Sequence, residues 1–256
     1  MTGRTIEAIT FDLWDTVFVD DSDEPKRAAQ GLLPKAGERR RLVHEFLSRH
    51  EPLDRGPVDV AYDTADAAFS HVWHVQHHTW TVRQRLSVLL RGLRRSLPED
   101  EMKELVRLHE EMELAVRPDL APGIGEALAR LRGRYRLGVV SDAIFSPGRA
   151  LRELLAGYGI LSHFDCFVFS DEFGCSKPRP ELFAEVAAGL GVDLRALVHV
   201  GDREENDVAG PHAVGARAVL VTVAKDRGSS QTKADAVCHD YAELPAIIDA
   251  MARTDA

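Results

Sequence analysis

Short apolar runs rich in β-branched residues recur at residues 8–13, 137–140, 166–169, 197–200 and 217–222, with helix-like segments between the last four. None alternates with polar residues as a half-exposed strand does, so each is expected to be covered on both faces. The pattern predicts an α/β fold, a Rossmann-like parallel sheet assembled from βαβ crossovers. Four of the five runs end in a polar group: Asp12, Ser141, Ser170 with Asp171, and Asp202. In a parallel sheet these gather along the carboxyl edge, where ligands bind in open α/β folds.

Roughly 120 residues separate the first two runs, against the dozen or so that a crossover requires. Helical periodicity fills the gap over residues 37–50, 58–80, 81–97 and 98–116, the last opening with Pro98, Glu99, Asp100 and Glu101. The expectation is an inserted all-helical cap domain at 21–118 within a catalytic core made of 1–20 and 119–256. Linkers are predicted near residues 20–25 and 117–123, where proline and glycine interrupt the helical period.

Composition narrows the class. The 256 residues are 45% hydrophobic, enough for a large core, and the net charge of −9 gives no pull toward nucleic acid or anionic lipid. No apolar run approaches the ~18 residues needed to span a bilayer, and the first fifteen residues show no export signal. Three cysteines, Cys166, Cys175 and Cys238, have no zinc or disulfide spacing. A cytoplasmic protein acting on small molecules, away from nucleic acid and membrane, is expected; the sequence does not reveal its oligomeric state.

Four motifs follow in order: ITFDLWDTV around Asp12, GVVSDA around Ser141, FGCSKPRPELF around Lys177, and HVGDREENDVAG with Asp202 and Asp207. Together they resemble the haloacid dehalogenase superfamily over residues 5–20 and 120–225, while the insertion matches only in kind. The resemblance implies a hydrolase in which Asp12 attacks phosphorus, forming an aspartyl-phosphate that water then hydrolyses. It further implies that Ser141 donates to the phosphoryl oxygens and that Lys177 neutralises charge. Mg2+ is the implied cofactor, held by Asp12, the main-chain carbonyl of Trp14, Asp202 and Asp207, the last directly or through water. Trp14, Asp15, Thr16 and Asp142 are the implied contacts to a small phosphorylated substrate.

One residue departs from the family pattern. Its phosphatases usually carry a second aspartate two positions after the nucleophile to shuttle a proton; here Trp14 stands there, and an indole cannot do this. Four readings remain open. One is a phosphohydrolase with an acidic leaving group or a substitute acid such as Asp15 or His74. Another is a haloacid dehalogenase, which would leave Asp202 and Asp207 without a metal to hold. The third is a phosphonatase, needing an amine such as Lys26; the fourth is a catalytically weak binding or regulatory member. Asp15 reads either as a displaced proton carrier or as a turn residue bonding backbone amides. Asp142 adds negative charge beside any phosphate, which favours a neutralising partner.

The insertion also holds HVWHVQHHTW. By helical spacing His71, His74 and His78 share a face, flanking an apolar stripe of Tyr62, Ala65, Phe69, Val72 and Trp73. Packing explains the stripe; the histidines read either as a metal cluster, for which no carboxylate completes the ligand set, or, better, as a wet histidine surface facing the cleft. Arg83 and Arg85 read either as clamps for a substrate carboxylate or second phosphate or, better in a chain rich in arginine, as members of a solvated helix face.

Overall fold

The computed structural model describes residues 6–253; the expectations for residues 1–5 and 254–256, the start of the core segment and of the export-signal reading among them, lie outside the described residues. Six parallel strands form one sheet: β1 (Ala8–Phe11), β2 (Arg136–Ser141), β3 (Cys166–Phe169), β4 (Leu197–Gly201), β5 (Arg217–Val221) and β6 (Ala236–Cys238). Their order is β3-β2-β1-β4-β5-β6, so the winding direction reverses between β1 and β4. Phe11 is in register with Val139 of β2 and Val200 of β4. The residues just beyond them, Asp12, Ser141 and Asp202, therefore leave the sheet side by side at its carboxyl edge.

Helices cover both faces because the strands are apolar throughout. α7 (Ile124–Leu131), α8 (Gly148–Gly157) and α12 (Leu244–Arg253) pack on one main cluster; α10 (Pro180–Leu190) supplies Leu182, Phe183, Val186 and Leu190 to another, with Ala8, Val140 and Val168, and α9 (Ser170–Phe173) and α11 (Gly210–Ala213) are single turns. The α10 face sits close because Gly138 lacks a side chain: a Cβ there would meet Val186 at 3.0 Å and Leu190 at 3.2 Å.

Between β1 and β2 the chain forms α1 (Glu24–Ala29), α2 (Lys35–Ser48), α3 (Arg55–Gln76), α4 (Val82–Gly92), α5 (Glu99–Glu110) and the single turn α6 (Met112–Ala115). They have a separate hydrophobic cluster, in which Val58, Tyr62 and Ala65 of α3 face Leu86 and Leu89 of α4 and Met102 and Leu105 of α5. The predicted linker at 20–25 contains the start of α1, where Glu24 and Pro25 open the helix. Lys26 ties the two connecting segments together through Asp119, at 2.6 Å, and the Arg117 carbonyl, at 2.7 Å. Among the described residues no helix is long and apolar enough to cross a membrane.

α3 stops at Gln76, four residues before its predicted end, because His77 turns left-handed (φ 50°). His78 is thus off the helix and does not share a helical face with His71 and His74. Thr81 restarts the chain as α4 with a capping box, its hydroxyl accepting from Gln84 N while Gln84 reaches back to Thr81 N. The intervening bend meets the core: the His77 carbonyl accepts from Ser176 N at 2.9 Å, and His78 bridges Cys175. The end of α3 is thereby fastened beside Lys177.

Candidate active site

Lys177 is the hub of the carboxyl edge. Its Nζ donates to Asp207 Oδ1 at 2.6 Å and stands 2.8 Å from Asp12 Oδ1, with all three side chains buried. A π-helical turn after β4, Glu204–Ala209, brings Asp207 back under the sheet edge, where its Oδ2 accepts from Arg203 N at 3.0 Å. His199, buried within β4, links Asp207 Oδ1 at 3.1 Å to Thr10 Oγ1 at 2.9 Å. Gly201 is required by this return, since a Cβ there would lie 2.4 Å from Asp207 Cγ.

Asp12, Asp202 and Asp207 offer oxygen atoms within 4.8 Å of one another. Three hard, buried carboxylates suit a divalent cation such as Mg2+, and Asp202 Oδ1 is buried with no hydrogen-bond partner among the described residues. The donor set fits such an ion, with one distinction: both Asp207 oxygens already accept hydrogen bonds, whereas Asp202 keeps one free. Asp202 Oδ2 is held by Arg227 Nε, and the same guanidinium donates through Nη2 to Asp15 Oδ2 at 2.5 Å.

The electrostatics follow from this crowding. Burial, together with Asp12 and Asp207, raises the Asp202 carboxyl above its ordinary range. Burial alone would favour neutral Lys177, yet Asp12, Asp207 and Asp142 outweigh it and hold the ammonium above the usual lysine value. Burial likewise works against an ionised Asp207, but Lys177 and His199 bring its carboxyl below the usual range. The Asp142 carboxyl is pushed up to about 7, chiefly by burial, against the pull of Lys177.

Of the sequence-derived residues, Asp12, Lys177, Asp202 and Asp207 converge. Ser141 ends β2 with a buried hydroxyl that has no partner among the described residues, a donor available to an oxyanion. Asp142 accepts from Lys177 N at 3.0 Å and from Asn206 Nδ2 at 3.2 Å, and lines a small cavity of about 30 Å³ with Asp12, Trp14 and Lys177. Trp14 also packs on Phe18, ring centroids 5.8 Å apart. Asp15 and Thr16 line neither this cavity nor the larger one beside it. Asp15 sits left-handed (φ 53°), its carboxylate accepting from Asp20 N and Arg227, the arrangement of a turn residue; the Thr16 carbonyl accepts from Tyr241 Oη at 2.6 Å.

In the insertion, His74 and His77 line the larger cavity while His71 does not. Arg83 is exposed and pairs with Glu99. Arg85 is buried, unlike the solvated residue expected: it pairs with Asp66 at 2.7 Å, donates to the Ile144 carbonyl and stacks on Phe145. A guanidinium can turn inward when carboxylate, carbonyl and aromatic ring all receive it.

Sequence reasoning missed Arg203, Asn206 and Arg227, and read Trp73 as packing alone; Trp73 stacks on Phe69 and also lines both cavities. His199 carried a visible signal, a lone polar ring inside the apolar run LVHV. Arg227 carried none.

A family profile described as haloacid dehalogenase-like hydrolase matches residues 6–215. The chain belongs to that family. Over 126 residues it is 35% identical to the phosphoserine phosphatase of Thermus thermophilus, covering 43% of this chain and 49% of the relative, so the match spans about half the length of that protein. The fold is similar to a HAD phosphatase from Thermococcus onnurineus (TM-score 0.63, 24% identity, 94% of this chain and 97% of that one). It is equally similar to a 2-haloacid dehalogenase from Pseudomonas syringae pv. Tomato (TM-score 0.64, 22% identity, 96% and 99%). Fold alone therefore does not choose between the two chemistries.

Proposed function

We propose that the protein is a magnesium-dependent phosphohydrolase acting on a small phosphorylated metabolite through an aspartyl-phosphate on Asp12. Residues 21–118 act as a cap domain that closes over a core of 1–20 and 119–256. The observation that carries this reading is the buried triad of Asp12, Asp202 and Asp207 around the Lys177 ammonium. Dehalogenation through Asp12 needs no metal and would leave Asp202 and Asp207 without an ion to hold, whereas a carboxylate attacking a phosphoryl anion needs the positive charge that Lys177 and a divalent cation would supply. The relative named phosphoserine phosphatase supports the same substrate class.

Asp12, Asp202 and the Trp14 carbonyl would hold Mg2+, with Asp207 through water; when bound, the ion supplies neutralising charge between nucleophile and phosphoryl oxygens. An Asp12 oxygen forms the bond to phosphorus as the ester or anhydride oxygen leaves with its electron pair. Water then attacks the phosphorus, releasing phosphate and restoring Asp12. Lys177 pairs with Asp12 and meets the charge that develops, and the unpartnered Ser141 hydroxyl donates to a phosphoryl oxygen. With Trp14 where a proton carrier would stand, acidic leaving groups such as acyl phosphates are preferred. The three cysteines are unpaired, which supports a reducing, cytoplasmic setting.

The test is phosphate release from acetyl phosphate and p-nitrophenyl phosphate with Mg2+ or with EDTA, alongside intact-mass analysis after acid quench. Metal-dependent release and a phosphoryl adduct on the Asp12 peptide, both lost in Asp12→Asn, are expected. Halide release from 2-chloropropionate in EDTA, with no phosphate release, would overturn the reading.

A further inference from the structure

The larger cavity, about 230 Å³, is lined by Trp73, His74 and His77 from the end of α3 and by Arg203, Glu205 and Asn206 from the turn after β4, beside Lys177. It shares Trp73, Lys177, Arg203 and Asn206 with the small cavity over Asp12. A group attached to a phosphoryl at Asp12 has room to extend past Arg203 into this space.

Arg203 differs from the other cations around the site. Lys177 is held by two carboxylates, Arg227 by Asp15 and Asp202, and Arg85 by Asp66 and the Ile144 carbonyl. The Arg203 guanidinium is half-buried and has no hydrogen bond or ion pair with any described residue; the Trp73 ring lies 6.0 Å from centroid to Cζ, and Asp202 is within electrostatic reach without pairing with it. Asn206 is committed to Asp142, and Glu205 is an exposed rim residue with no ion pair to Arg203. A guanidinium steered by an aromatic face, with no anion bonded to it and bordering a cavity, presents its fork of donors to whatever enters. One guanidinium matches one negative charge, and the Glu205 carboxylate on the rim counts against a phosphate dianion.

Resting on the phosphohydrolase reading, we propose that Arg203, backed by Trp73, is a subsite for a carboxylate carried by the leaving group. The preferred substrates are then small phosphorylated carboxylic acids, the carboxylate lying flat across the guanidinium while the phosphoryl group meets Asp12 and Lys177. Specificity comes from a residue of the core turn that also carries the catalytic carboxylates, and the insertion contributes the ring that steers it.

The matched pair 3-carboxy-4-nitrophenyl phosphate and 4-nitrophenyl phosphate differs by one carboxylate and has acidic leaving groups, so Trp14 does not enter the comparison. In the wild type, kcat/KM for the carboxylated ester is expected to exceed that of its partner by about tenfold or more, the difference residing in KM. In Arg203→Gln that ratio falls to about one, and in Arg203→Lys it is partly kept. Calorimetric binding of both esters to Asp12→Asn with Mg2+ should show the same preference. A wild-type ratio near one, or a ratio unchanged in Arg203→Gln, overturns the subsite. So does an equal loss for both esters, which is what a role confined to charge balance at the neighbouring Asp202 gives. Preferential binding of the carboxylated ester to Asp12→Asn, with neither ester turned over by the wild type, would uphold the subsite and overturn the phosphohydrolase reading alone.

Discussion

The Lys177 ammonium stands 2.8 Å from the Asp12 carboxylate, both side chains buried at the sheet edge, so each ion compensates the other where water does not reach. Removing one partner of such a pair leaves an uncompensated buried charge, which costs about 3–5 kcal/mol. Lys177→Met is expected to lower the stability measured by urea unfolding by that amount and to reduce turnover by about 10²-fold or more. Lys177→Arg should not restore activity, because a planar fork cannot take the place of a compact ammonium bonded at once to Asp12 and Asp207. Near-wild-type turnover in either variant would contradict the role given to this residue.

Trp14 borders the small cavity above Asp12, where a carboxyl group would reach the leaving oxygen. Trp14→Asp is expected to raise hydrolysis of alkyl phosphates by about 10²-fold, as general acid catalysis does when the leaving group is basic, and to change acetyl phosphate hydrolysis much less. Trp14→Phe is the control for lost packing on Phe18 and should give no rise. If the aspartate variant treats both leaving-group classes alike, the missing acid is not what limits the enzyme.

What the sequence revealed follows from how each feature is encoded. The strands were visible because a strand covered on both faces is apolar along its whole length, and Asp12, Ser141 and Asp202 because they end such runs. β6 escaped because Ala236–Cys238 is three residues long and shows no period. The end of α3 escaped because a left-handed histidine, rather than glycine or proline, ends it. Arg227 reaches Asp15 across 212 positions and Asp202 across 25, through a loop whose path no periodicity records. Arg203 lies inside a recognised motif, yet its freedom from any ion pair becomes visible only once every other cation nearby is seen to have a partner.

His109 gives the insertion a pH dependence of its own. The ring is buried on α5, its Nδ1 bonded to the Leu105 carbonyl at 2.8 Å, and burial, aided by Arg39 and Arg85, pushes its pKa down to about 3 from the ordinary 6.5. The unfolded chain therefore binds a proton that the folded chain refuses. Stability from this group is intact above pH 6.5 and is lost as the pH falls toward 3. At pH 5 the loss is about 2 kcal/mol. Urea unfolding at pH 7 and pH 5 should show a steeper fall for the wild type than for His109→Gln by that amount, and equal slopes would refute the assignment.

Gly201 and Gly138 both lie in buried strands, yet only one supports the chemistry. A Cβ on Gly201 would fall 2.4 Å from Asp207 Cγ and 2.6 Å from its Oδ2, so Gly201→Ala must push away the carboxylate that holds Lys177 and His199. A Cβ on Gly138 meets the side chains of Val186, Leu190 and Thr10 at 3.0–3.2 Å, contacts with the covering helix and the neighbouring strand. Overpacking of either kind costs about 1–3 kcal/mol, so both alanine variants should melt at lower temperature. Turnover separates them: Gly201→Ala is expected to lose at least about tenfold in kcat at a temperature where it is fully folded, because a displaced Asp207 no longer positions Lys177 against Asp12. Gly138→Ala should keep kcat within about threefold under the same conditions. Equal kcat losses in the two variants would mean that strand strain, and not the position of Asp207, accounts for the effect.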